Sequence, residues 1–70
     1  MDNRKKEIGA SIKAARTVAG ISQQDMAKRA CVSANTVSNW ELGVSTFDID
    51  KAWDMADALG VSIDEMVGRK

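Results

Sequence analysis

Residues 22–43 read SQQDMAKRACVSANTVSNWELG, and this stretch decides the fold. Ser22 is a helix-starting residue with Asp25 three places on, the pattern of a capping box. It opens a short helix whose Met26, Ala27 and Ala30 share one face. Ser33 opens a second helix that runs to about Leu42, carries Val37 and Trp40 as its apolar stripe, and stops at Gly43. Only Ala30 to Val32 separate the two. Helices joined that tightly require a small side chain where they cross, and Ala27 provides it.

Outward from this pair the punctuation continues. Upstream, a helix is predicted from about Asn3 to Ala19, with Ile8, Ile12, Ala15 and Ala19 on one face and Gly20 as its stop. Downstream, Asp48 starts a fourth helix, with Ile49, Ala52, Trp53, Ala56 and Leu59 at helical spacing and Gly60 as terminator. Ser62 with Glu65 forms a further capping box, opening a short last helix that bears Ile63, Met66 and Val67. No useful β-alternation occurs, so the fold class is all-α, five helices in a single domain spanning 1–70. Both Trp40 and Trp53 are predicted to be core rather than base-stacking platforms, because each falls at helical spacing among apolar residues.

Composition narrows the chemistry. A chain of 70 residues buries only about 60% of its unfolded surface, so its stability is marginal and its packing must be tight. Cys31 is the one cysteine and there is no histidine, which excludes an intramolecular disulfide and a structural zinc site and points to a reducing, cytoplasmic setting. No apolar run approaches the roughly 20 residues that span a bilayer. An enzyme is not expected: the acids are scattered over helix faces, no glycine loop could cradle a phosphate, and no cofactor is implied. The formal charge is zero but unevenly spread. Residues 1–43 hold seven bases against four acids, and residues 44–70 hold three bases against six acids. This polarity either presents the N-terminal part to an anion or reflects ordinary solvated helix charges, and charge alone does not decide between them.

Counted from Gln23 as the first position, Ala27 is fifth, the turn residue Cys31 ninth, Val37 fifteenth and Trp40 eighteenth, a pattern similar to a helix-turn-helix. The segments IGASIKAARTVAGISQQDMAKRACVSANTVSNWELG and IDKAWDMADALGVSIDEMVG resemble the Xre/Cro-like family of phage and bacterial repressors. The marks are an Ile-Lys-x-x-Arg first helix, a Ser-Gln start, Val-Ser before the third helix, Trp-Glu-x-Gly after it, and a closing Ala-x-x-Leu-Gly-Val. The resemblance implies a compact, lambda-repressor-like five-helix domain whose third helix, about 34–42, enters the major groove of double-stranded DNA. Matched position by position, Ala34, Asn35, Thr36 and Asn39 would face base edges. Lys13, Gln23, Ser33, Ser38 and Ser45 would contact the DNA backbone, and Arg16 with Glu41 would form a structural ion pair. A homodimer on a palindromic operator is expected because one small module reads too few base pairs for useful specificity, with the fourth and fifth helices as its expected interface and Met66 and Val67 placed either there or in the core.

The residues support that reading independently. From Ser33 to Asn39 the third helix is short-chained, polar and uncharged on its outer side, with Thr36 where the other capped starts place Asp25 and Glu65. Asparagine can bond an adenine edge bidentately, and an alanine or threonine methyl can meet that of thymine. Departures from the family pattern are equally specific. Cys31 stands where a glycine is usual, at a turn position that favours positive φ. Phe47 stands where a proline is common, and the loop from Gly43 to Phe47 has no lysine or arginine. The cluster Arg4-Lys5-Lys6 serves either DNA backbone or solubility. Two functions follow: a repressor-like transcriptional regulator, or a protein-interaction module of the same fold, antitoxin-like or anti-repressor-like, with little DNA contact.

Overall fold

The helices are built by matched start and stop signals, seen in a computed structural model that describes residues 3–68. Among these residues five helices occur in chain order: α1 (Arg4–Ala19), α2 (Gln23–Ala30), α3 (Ala34–Leu42), α4 (Ile49–Leu59) and α5 (Ile63–Met66). Ser22, Ser33, Asp48 and Ser62 each accept a hydrogen bond from the backbone N–H three residues on. Only Ser62 is reciprocated, by Glu65. The Asp25 side chain makes no such return bond, so the box expected at Ser22 is a simple cap.

The first four helices end alike. A residue in the left-handed region bonds back to the helix, and the β-branched residue after it bonds one step further back: Ile21 to Arg16, Val32 to Ala27, Val44 to Asn39 and Val61 to Ala56. Three of the four left-handed positions are glycine; the fourth is Cys31, at φ 59°. A side chain in that region costs on the order of 1–2 kcal/mol, against roughly 0.5–1 for the extra freedom glycine has when unfolded. Cys31→Gly is therefore expected to stabilise the fold by up to about 1 kcal/mol, read as a raised denaturant midpoint. A lowered midpoint would show that the exposed thiol makes a contact worth more than the strain.

The core is one cluster: Ile12 of α1, Met26, Ala27 and Ala30 of α2, Val37 and Trp40 of α3, Ala52, Met55, Ala56 and Leu59 of α4, and Met66 of α5. Helix α1 packs on α3, α2 packs on both α3 and α4, and α5 closes against α4 and α1. Three fully buried methionines fill the space between helices whose crossings are lined by alanine. No described helix is long and apolar enough to cross a membrane.

Several expectations are corrected. Trp53 and Ile49 are 62% and 65% exposed, not core. The buried stripe of α4 is Ala52, Met55, Ala56 and Leu59, so Ile49 and Trp53 lie around its edge, where no other helix covers them. Ala19 is exposed, at the end of α1. Of the two placements open to Met66 and Val67 the structure takes the core: Met66 is fully buried, and Val67, just beyond α5, is half-buried against it.

Candidate nucleic-acid interface

Helix α3 is held from beneath and left open above. Val37 and Trp40 are buried, and Trp40 meets the Phe47 ring edge-on, with centroids 5.6 Å apart and planes at 72°. Phe47 thus anchors the end of the loop after α3, at the position where the family pattern commonly has a proline. The loop start is fixed by backbone bonds from Val44 and Ser45 to the Asn39 carbonyl, at 3.0 and 3.4 Å.

On the other side of α3 stand Asn35, Thr36, Ser38 and Asn39, Asn35 exposed and the others half-buried; Ala34 is half-buried and packs against the core. Ser33 accepts from the Thr36 N–H at 3.1 Å, and its hydroxyl also lies 2.8 Å from that of Thr36. The two hydroxyls share a single bond, so whichever donates, one O–H remains for a ligand. Among the described helices α3 alone has no acid in its first turn: Glu7, Asp25, Asp50, and Asp64 with Glu65 occupy that turn in the rest. Its N-terminal N–H groups therefore face outward without a neighbouring carboxylate to repel an anion.

The scaffold that aims α3 converges on one carboxylate. Arg16 of α1 donates from Nε to Glu41 Oε2 at 2.6 Å, from Nη2 to Oε1 at 3.2 Å, and from Nη1 to the Ile21 carbonyl at 2.8 Å. Gln23, at the start of α2, donates from Nε2 to Glu41 Oε1 at 2.9 Å. The Glu41 side chain is 3% exposed and that of Arg16 13%, so this is a largely buried, forked pair between α1 and α3, which Gln23 extends to α2. Gln23 retains a second N–H, which leaves one donor for a phosphate beside its bond to Glu41.

Lys13 is exposed on α1 and Ser45 is half-buried in the loop after α3. The structure thus forms two separate hydrogen-bonded groups, Gln23 with Glu41 and Arg16, and Ser33 with Thr36, and joins the Lys13 and Ser45 side chains to neither.

Two supporting features had no signal in the sequence. Gly9 is buried where α1 crosses the end of α3; a Cβ there would overlap the Glu41 carbonyl oxygen and lie 2.5 Å from that of Trp40. Lys51 of α4 donates to the Ala30 carbonyl at 2.8 Å, placing a cation at the C-terminal end of α2.

A profile of the family described as helix-turn-helix matches residues 12–66. Two structures of the clp gene regulator ClgR from Corynebacterium glutamicum superpose with TM-scores of 0.86 and 0.85. They share 22% and 21% identity and cover 90% and 94% of this chain and 67% and 86% of their own. The restriction-modification controller protein C.AhdI from Aeromonas hydrophila superposes at TM-score 0.82 with 23% identity, over 87% of this chain and 92% of its own. At such identities the likeness concerns the fold. No curated protein sequence matches the chain.

Proposed function

Since the chain belongs to the helix-turn-helix family, we propose that it is a cytoplasmic, sequence-specific DNA-binding regulator of transcription, repressor-like, that sets α3 in the major groove. The observation that carries this reading is the outer face of α3: a capped helix start without a first-turn acid, presenting Asn35, Thr36 and Asn39 above a rigid bed. Asn35 and Asn39 read bases, Ala34 and Thr36 supply methyl contacts, and Gln23, Ser33, Ser38, Ser45 and Lys13 position the DNA backbone. The regulator acts as a homodimer on a two-fold symmetric operator, since one module this small reads too few base pairs for useful specificity.

Selection from random duplex DNA is expected to return a two-fold symmetric motif. Against that motif, Asn35→Ala and Asn39→Ala are each expected to weaken binding by roughly 5- to 150-fold, equivalent to about 1–3 kcal/mol, with the circular dichroism spectrum unchanged. Failure to enrich any motif would overturn the reading.

The salt dependence follows from the same face. Neither α3 nor the 43–47 loop carries a lysine or arginine, so few counterions are displaced there. The slope of log K against log salt is expected to be shallow, well under that of a protein making 6–10 phosphate contacts. A slope as steep as that would place the basic residues of α1 and α2 on the backbone in numbers this reading does not assign.

A further inference from the structure

The most exposed aromatic of the chain lies away from α3. Asp50, Trp53, Asp54 and Asp57 follow one another at helical spacing along the outside of α4, all exposed. Ile49 adjoins them at 65% exposure. Beside Trp53 runs an open groove of about 340 Å³, floored by Ala56, Val61 and Ile63 and edged by Asp57 and Asp64. The obvious base on this helix is turned away, because Lys51 is bound to the Ala30 carbonyl. Arg29 of α2 borders Asp54 and Asp57 on one flank and offsets part of their charge.

We propose that this face of α4, with the groove leading to α5, is a docking surface for a basic amphipathic helix of a second protein. The apolar side of that helix would cover Trp53, Val61 and Ile63, and its lysines or arginines would align with Asp50, Asp54, Asp57 and Asp64. Charge decides the occupant. DNA and anionic membranes are repelled by four carboxylates. A second copy meeting this face across a two-fold axis would oppose two faces that each carry four carboxylates. A head-to-tail contact with the exposed bases at the start of α1 would give rings or open chains, not the two-fold dimer that a symmetric operator calls for. A partner that is apolar on one side and basic at its margins meets both requirements at once. The inference does not depend on DNA binding, and it takes this face out of the homodimer interface expected from α4 and α5.

The test uses the full chain and a designed peptide of about 15 residues, some four helical turns, with leucines on one face flanked by lysines. One control has glutamate for every lysine; another has the same composition in scrambled order. Trp53 emission is expected to shift to the blue on binding the patterned basic peptide, while buried Trp40 stays silent. Trp53→Ala is expected to weaken that binding on the order of 30-fold, as for an interface hot spot, with helix content and operator binding unchanged. Because Trp53 is largely exposed, its removal leaves the core intact. A second variant, Asp54→Lys with Asp57→Lys, is expected to lose the basic peptide and gain the acidic one. Equal binding of the scrambled peptide would overturn the proposal. So would dissociation of a wild-type dimer by Trp53→Ala, since the occupant would then be a second copy. Loss of operator binding in Trp53→Ala would also overturn it, by placing this face in the DNA site.

Discussion

Replacing Gly9 by alanine is expected to lower the melting temperature by roughly 10 °C, the effect of about 1–3 kcal/mol on a domain of this size. The sign is decided by two opposed effects. Within a helix, alanine is favoured over glycine by up to about 1 kcal/mol, and at an exposed site the change would stabilise. Gly9, however, is buried against α3: the added Cβ would overlap the Glu41 carbonyl oxygen and sit 2.5 Å from that of Trp40 and 2.8 Å from the Glu41 carbonyl carbon. These are backbone atoms, with no rotamer by which to withdraw. Relief requires moving α1 off the end of α3, and that movement pulls on the forked bonds between Arg16 and Glu41. Thermal unfolding followed by circular dichroism measures the result. A melting temperature unchanged or raised would mean that the two helices separate freely, and the rigid aim attributed to α3 would fall with that.

Much of this architecture could be read from local chemistry. Ser22, Ser33, Asp48 and Ser62 act on the residue three places on, so a cap is visible within four letters of sequence. The polar outer side of α3 was legible for the same reason, because Val37 and Trp40 fix which way the helix faces. What was not legible depended on residues remote in the chain. The apolar set of α4 spans more than its buried stripe, and periodicity alone does not say which edge a neighbour covers; the structure covers Met55 and leaves Ile49 and Trp53 bare. Gly9 reads in sequence as a weak point in a helix, while its reason lies with Trp40 and Glu41. Lys51 looks like an ordinary surface base until α2 ends beside it. In the candidate site, Gln23 illustrates the limit: the resemblance implied a phosphate contact, and only the folded chain shows that one of its amide hydrogens is held by Glu41.

Glu41→Ala is expected to cost about 3–5 kcal/mol, the loss typical when one partner of a buried ion pair is removed and the other charge stays behind. Arg16, at 13% exposure, would keep only the Ile21 carbonyl as partner, and Gln23 would lose the bond that holds its amide. Urea unfolding would register this as a lower midpoint at similar slope. The more informative experiment replaces both charges, Arg16→Met with Glu41→Leu. A buried pair adds little net stability over well-packed apolar residues, so the double variant is expected to recover most of what the single one loses. Binding to the selected operator should not recover with it. In the double variant the hydrogen bonds that hold Gln23 at the start of α2 and link α1 to the end of α3 are gone, so the helix that reads bases would sit on a stable fold with packing alone to align it. Stability restored with operator affinity still reduced tenfold or more would assign the Arg16–Glu41–Gln23 network to positioning. Affinity restored together with stability would show that packing alone aims α3, and that the network serves only to satisfy its own buried charges.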